Sequence, residues 1–182
     1  MTGNGSPRRA VFLDRDGTLI DDPGYVDDPA RVHLLPGVAE ALQALERAGF
    51  LRIIITNQSA IGRGWITSDQ YLTIQREVER QLIAAGASID ATYHCPHTPD
   101  AGCTCRKPGT ALHREAVASW TIDVAASWCV GDQIRDLEPA RELGCRSLLV
   151  RTGKGAAAVD EAVALGAAVA DDLAAGIGLL TR

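Results

Sequence analysis

The sequence predicts an α/β protein with a central parallel sheet and helices on both of its faces. Three observations lead there. Short apolar runs recur along the chain, stretches of helical period stand between them, and glycines mark several of the joins. Strands of a parallel sheet covered on both sides read as continuous apolar runs rather than as alternation.

The elements follow in order. Ala10-Val-Phe-Leu-Asp14 is a buried strand ending in an acid. Val38, Ala41, Leu42 and Leu45 recur at i, i+3, i+4 and i+7, which predicts a helix that Gly49 ends. Leu51-Arg-Ile-Ile-Ile55 is a β-branched strand. Thr67 and Gln70 suit a capping box, and Ile74, Val78 and Leu82 line one face of the helix behind it. Residues 89–94 read as a strand and 95–109 as a loop of Cys, Pro and Gly. Thr110 is placed to cap a helix running to about Ser119. Ser127-Trp-Cys-Val-Gly131 and Arg146 to Val150 are strands on either side of a helix from Asp136 to Leu143. Ala156 to Leu165 and Leu173 to Leu180 read as helices around a last short strand near Ala168. The result is a Rossmann-like three-layer sandwich. Residues 1–9 are expected to be a flexible N-terminus and 10–182 one domain.

The chain has 182 residues, 46 % of them hydrophobic, with 18 basic and 23 acidic side chains and a net charge of −5. This composition excludes wholesale disorder. The acidic balance argues against a nucleic-acid binder, whose footprint is basic. No apolar run approaches the roughly 18 residues of a membrane span. Met1 to Arg9 lacks the apolar core of a signal peptide, so the expected compartment is the cytoplasm. A monomer is expected. The tryptophans Trp65, Trp120 and Trp128 read as packing residues, and His33 and His113 as surface or capping groups. Arg151-Thr-Gly-Lys-Gly155 lacks the full phosphate-loop pattern and reads as a turn.

Open parallel sheets bind ligands beyond the carboxyl ends of their strands. The polar residues directly after the apolar runs therefore carry the functional information: Asp14-Arg-Asp16, Thr56-Asn-Gln58, Cys95-Pro-His97 and Asp132-Gln-Ile-Arg-Asp136. Asp14 and Asp16 are spaced to point to one side of a strand, where two carboxylates repel unless a cation lies between them. A hard divalent ion such as Mg²⁺ suits oxygen-only ligands, and Asp132 at a second strand end adds a third. Cys95, His97, Cys103 and Cys105 supply three thiolates and one imidazole, a closed tetrahedral set for structural Zn²⁺. Cys129 and Cys145 stand apart in apolar segments and read as core residues.

Val11-Phe-Leu-Asp14-Arg-Asp16-Gly-Thr-Leu-Ile20 resembles the first motif of the haloacid dehalogenase superfamily of phosphotransferases. Ile53-Ile-Ile-Thr56 is similar to its second motif, Lys107 to its third and Val130-Gly-Asp132-Gln-Ile-Arg-Asp136 to its fourth. The four stand in the family's order over about residues 10–150. The resemblance implies a Mg²⁺-dependent phosphatase. Asp14 would be the nucleophile that forms an aspartyl-phosphate, and Asp16 the general acid and then base. Thr56 and Lys107 would hold phosphoryl oxygens. Mg²⁺ would be held by the Asp14 carboxylate, the Asp16 backbone carbonyl and Asp132. Asp136 would order the neighbourhood, by pairing with Lys107.

The gaps between these motifs leave no room for a separate cap domain. The active site should be open, covered by the loop from Asp21 to Tyr25 and by the zinc loop, 95–109. Among lidless members, a zinc loop resembles two families, the heptose 1,7-bisphosphate phosphatases and the histidinol-phosphate phosphatases. Gly24-Tyr-Val26, Leu35-Pro-Gly37, Thr56-Asn-Gln-Ser59, Ser59-Ala-Ile-Gly-Arg-Gly64 and Cys105-Arg-Lys-Pro108 are similar to the heptose enzymes. That resemblance puts Asp22, Pro23, Gly24, Tyr25, Asn57, Gln58, Ser59, Arg106 and Gln133 at a phosphorylated sugar. Arg63 and Arg106 would meet the second phosphate of a bisphosphate. After Gly131-Asp132 the heptose enzymes often carry Lys, where this chain has Gln133. The implied reaction is removal of the 7-phosphate of a glycero-manno-heptose 1,7-bisphosphate, on the way to activated heptose for lipopolysaccharide or other surface glycans. The alternatives are histidinol-phosphate hydrolysis and a zinc-stabilised binding protein without catalysis.

Overall fold

The computed structural model of the protein describes residues 6–182. Six parallel strands form one sheet in the order β3-β2-β1-β4-β5-β6. They are β1 (Ala10–Leu13), β2 (Leu51–Asn57), β3 (Ala91–Cys95), β4 (Trp128–Gly131), β5 (Arg146–Val150) and β6 (Ala168–Ala170). The helices are α1 (Val38–Arg47), α2 (Ser59–Gly62), α3 (Ser68–Ala84), α4 (Ala111–Trp120), α5 (Ile134–Leu143), α6 (Val159–Ala164) and α7 (Leu173–Leu180).

The strand pleat divides the core into two layers. Val11 and Leu13 of β1 face one side, where they join a cluster with Leu42 and Leu45 of α1, Ile74 and Val78 of α3, and Leu173 and Leu180 of α7. Ala10 and Phe12 face the other, with Leu112 and Ala116 of α4 and Ala140 of α5. A third cluster joins Leu137, Leu149 and Ala162 beneath α6. Each of these buried aliphatic side chains contributes about 1.5–3 kcal/mol by leaving water. The register Phe12↔Ile53 and Phe12↔Cys129 places β1 at the centre, flanked by β2 and β4.

Several local expectations hold, and others shift. The Thr67–Gln70 capping box forms, with Gln70 N donating to Thr67 Oγ1 at 3.1 Å and Thr67 N to Gln70 Oε1 at 2.7 Å. Asp172 caps α7 by accepting from Ala175 N. Thr110 precedes α4 but does not cap it; its hydroxyl donates to Glu142 Oε1 at 2.7 Å. The helix expected over 156–165 is broken into a single 3₁₀ turn, Gly155–Ala157, and the shorter α6. Of the N-terminal stretch expected to be flexible, 1–5 lie outside the described residues. Arg8 and Arg9 are tied down: Arg8 bridges Ile122, and the Arg9 guanidinium donates to Ala48 O at 2.7 Å. Trp128 is buried as expected of a packing residue, whereas Trp65 is 57 % exposed. Among the described residues no helix is long and apolar enough to cross a membrane.

His113 departs from the surface or capping role. It is buried on α4 with its ring edge-on to Phe12 at 5.2 Å. Burial, aided by the Lys107 charge, pushes its pKa down from 6.5 to about 3. The unfolded chain therefore takes up a proton that the folded one refuses, and stability falls as the pH drops below 6.5. At pH 5 the expected loss is about 2 kcal/mol. Urea unfolding at pH 7 and 5 checks this: His113→Leu should lose less on acidification than the parent, and an equal loss would clear His113 of the effect.

Candidate active site

The chain runs outward from β1 through β2 to β3, then returns to β4 on the other flank of β1. Such a reversal opens a crevice beyond the carboxyl ends of the two central strands. Asp14 directly follows β1 and Asp132 directly follows β4. Thr56 lies near the end of β2, and Lys107 reaches in from the loop behind β3. Thus four of the predicted residues meet because of strand order.

Lys107 is the hub. Its Nζ donates to Asp14 Oδ1 at 2.7 Å and to the Ile55 carbonyl at 2.6 Å, and lies 2.8 Å from Asp136 Oδ1. The expected pairing of Asp136 with Lys107 is therefore present. The other Asp136 oxygen accepts from Gln133 N at 3.0 Å. The Lys107 backbone is clamped from both sides by the Asn57 amide: Lys107 N donates to Asn57 Oδ1 at 3.0 Å, and Asn57 Nδ2 donates to Lys107 O at 3.1 Å. Asn57, expected at the substrate, borders the cleft, and its side chain holds Lys107. Burial pushes the Asp14 carboxyl up to about 7, partly offset by the Lys107 charge, while Asp136 and Asp16 add to the rise.

Asp132 is fully buried. Its Oδ2 accepts from Lys154 N at 2.8 Å, while Oδ1 has no hydrogen-bond partner. Burial raises its pKa. A buried carboxylate oxygen without a donor is costly unless a cation meets it. Carboxylate oxygens of Asp14, Asp132 and Asp136 all lie within 4.8 Å of one another. Because Lys107 takes up Asp136, the oxygens open to a hard cation are those of Asp14 and Asp132, and this donor set fits Mg²⁺. Two glycines make the approach possible. A Cβ on Gly17 or Gly153 would run into the Asp132 carboxylate, and both have positive φ, +83° and +55°.

The i, i+2 spacing suggested that the Asp14 and Asp16 carboxylates stand together; the close group is instead Asp14, Asp132 and Asp136. The chain turns after β1, and the Asp16 carboxylate swings to the Arg15 guanidinium (2.9 and 3.1 Å) and to Gln58 Nε2 (2.6 Å). Gln58 also donates to Thr56 Oγ1 at 2.9 Å. Gln58, expected at the substrate, thus positions Asp16 and Thr56. The Asp16 side chain is 24 % exposed, against 10 % for Asp14.

Above these groups lies a cleft of about 220 Å³. Asp14, Asp16, Asp22, Gly24, Tyr25, Asn57, Gln58, Ser59, Arg106 and Gln133 border it as expected. Thr56, Lys107 and Asp132 are buried beneath. Pro23 and Arg63 are not among the residues that border it. Arg63 instead lies over the Trp65 ring at 5.1 Å, and Trp65 meets Tyr25 edge-on at 4.6 Å. Arg15, Arg135 and Lys154 also border the cleft. Lys154, in the segment read as a plain turn, pairs with Asp22 at 3.0 Å. Its signal in the sequence was the Arg-Thr-Gly-Lys-Gly run directly behind a strand. Arg135 had none beyond its place in the fourth motif.

The four expected zinc ligands lie together, a cluster compatible with a bound metal. Cys95 closes β3, so a strand rather than a loop presents the first ligand. Cys95 Sγ lies 3.7 Å from Cys103 Sγ and 3.2 Å from Cys105 Sγ, and His97 Nδ1 is 3.2 Å from Cys105 Sγ. A tetrahedral zinc with bonds of about 2.3 Å sets its sulfur ligands about 3.7 Å apart. Burial and the neighbouring thiols push Cys95 up to about 12, so a metal must displace its proton. The loop is stitched to the cleft through α2: Gly62 N donates to Pro96 O at 2.9 Å, and Gln58 N to Cys95 O at 2.7 Å. Cys129 and Cys145 lie apart from this cluster, 3.6 Å from each other.

Comparison with known proteins agrees with this geometry. A family model described as HAD-hyrolase-like matches residues 104–176. The D-glycero-beta-D-manno-heptose-1,7-bisphosphate 7-phosphatase of Yersinia pestis is 40 % identical over 164 residues, covering 85 % of this chain and 87 % of its own. The crystal structure of the D,D-heptose 1,7-bisphosphate phosphatase of B. bronchiseptica, complexed with magnesium and phosphate, superposes with a TM-score of 0.85 at 35 % identity, covering 94 % of this chain and 97 % of that one. The corresponding phosphatase of Burkholderia thailandensis gives 0.71 at 30 % identity, covering 96 % and 100 %. With its one-chain crevice, its buried Asp–Lys–Asp arrangement and relatives matched over most of their length, the chain belongs to the D-glycero-beta-D-manno-heptose-1,7-bisphosphate 7-phosphatase family of the haloacid dehalogenase superfamily.

Proposed function

We propose that this protein hydrolyses the 7-phosphate of D-glycero-D-manno-heptose 1,7-bisphosphate, in the making of activated heptose for surface glycans. The observation that carries the proposal is the meeting of Asp14, Lys107 and Asp132 at the switch point, with the semi-exposed Asp16 beside them. The relatives' names supply the substrate.

In this reading Asp14 attacks phosphorus, its charge held in place by Lys107. The aspartyl-phosphate forms as the bond to the sugar oxygen breaks, and Asp16 gives that oxygen a proton. Asp16 then takes a proton from the water that cleaves the acyl phosphate. Arg15 and Gln58 keep its carboxylate aimed outward from the buried group. Thr56 and Lys107 steady the phosphoryl oxygens. Asp14, the Asp16 backbone carbonyl and Asp132 would hold Mg²⁺, which when bound offsets the charge of nucleophile and ester. Cys95, His97, Cys103 and Cys105 would hold Zn²⁺ as a structural brace, since the four donors leave no open position. Such a brace would order the chain directly before Arg106 and Lys107. The free thiols of the cluster suit the reducing cytoplasm.

Phosphate release from the heptose bisphosphate, from histidinol phosphate and from a generic ester tests the substrate. The heptose bisphosphate should give the highest kcat/KM. A higher value with histidinol phosphate would overturn the proposal.

A further inference from the structure

The geometry points to Arg135 as the residue that selects for the second, non-reacting phosphate of a bisphosphate substrate. This inference rests on the proposed function; Arg63, also expected at that phosphate, lies over Trp65 and is not among the residues that border the cleft.

Arg135 stands in the first turn of α5, three residues behind the fully buried Asp132. It borders the cleft over Asp14 together with Gln133, Lys154 and Arg106. Its other side faces a shallow hollow with Ala157, Ala158 and Glu161. Among the described residues no acid lies within ion-pairing distance of Arg135, and its Nε is buried without a partner. The other cations of the cleft are differently engaged. Arg15 is spent on Asp16, Lys154 on Asp22 and Lys107 on Asp14 and Asp136. Arg106 has a weak contact with the His97 carbonyl at 3.4 Å. Two guanidiniums, Arg106 and Arg135, therefore border one cleft without a carboxylate partner, in a chain of net charge −5.

Guanidiniums at a cleft edge that no carboxylate neutralises attract an incoming anion. A guanidinium fork matches the oxygens of a phosphate better than a lysine point charge. Position 133, at the same edge, holds an uncharged Gln. Arg135, two residues further along, supplies a cation at that edge of the cleft. The reacting phosphate sits over Asp14, so the edge cations are left for the phosphate at the far end of the sugar.

The test compares two substrates: D-glycero-D-manno-heptose 1,7-bisphosphate and the 7-phosphate that lacks the anomeric phosphate. Arg135→Gln should lower the ratio of their kcat/KM values by about tenfold or more, chiefly through KM for the bisphosphate. Gln133→Lys added to Arg135→Gln should recover most of that ratio. A structural role for Arg135 would depress both substrates in parallel and leave the ratio unchanged, and that result overturns the inference. So does a lost ratio that Gln133→Lys fails to recover. If the parent enzyme releases no phosphate from either sugar, the substrate proposal itself has failed, a result separate from an unchanged ratio.

Discussion

Asp14→Asn is expected to lower turnover by at least about four orders of magnitude while leaving the fold intact. The amide cannot attack phosphorus. Its size matches the carboxyl, so the crevice between β1 and β4 stays packed. The same substitution has an expected effect of opposite sign on stability. In the protein stripped of divalent metal, burial raises the Asp14 carboxyl to about 7. A carboxyl raised in this way favours the folded state below its unfolded value of 3.8, and the benefit is lost as pH rises through 7. At pH 8 the buried carboxylate therefore opposes folding. Metal-stripped Asp14→Asn should melt above the parent at pH 8 and no higher than the parent at pH 4. Stopped turnover with a raised melting point marks a group held at a cost to the fold for its chemistry. Residual activity near that of the parent would remove Asp14 as the nucleophile.

Cys95→Ser should release zinc and destabilise the protein by about 3 kcal/mol or more, a fall in Tm of about 6–12 °C. Cys95 is the buried ligand, at the end of β3, with a sulfur contact to each of the other cysteines of the cluster. The loss should reach activity too. Arg106 and Lys107 directly follow Cys105, and the Asn57 clamp on Lys107 works only while the loop holds its course. Metal analysis of the purified variant beside Cys129→Ser checks the assignment. The parent and Cys129→Ser should carry one zinc per chain and Cys95→Ser none. A Cys95→Ser variant that keeps its zinc and its Tm would show that the four donors do not act as a set.

The contrast between Asp14 and Asp16 shows where local pattern stops being informative. Both were visible as acids behind an apolar run, and alternation along an extended strand put them on one side. The strand ends at Leu13 and the chain turns at once, so the second carboxylate answers to Arg15 and Gln58 instead. Asn57 and Gln58 carry the same lesson. A linear motif offers their amides only to a ligand, whereas in space each also holds a neighbour, Lys107 for Asn57 and Asp16 for Gln58. His113 sits on a helix whose period does not distinguish a buried imidazole from an exposed one.

What the sequence determined by itself was what depends on short-range regularity and donor chemistry. Apolar runs announced β1, β2, β4 and β5, and the helical period announced α1 and α3. The spacing of Cys95, His97, Cys103 and Cys105 marked a candidate metal set because few other uses bring three thiols and an imidazole so close. Tertiary structure alone decided which side chains share a space. The order of strands in the sheet joins Asp14 to Asp132, the loop behind β3 carries Lys107 between Asp14 and Asp136, and α5 brings Arg135 to the rim with Lys154. Hydrogen bonds and ion pairs act over a few ångströms of space, whereas a sequence records only distance along the chain.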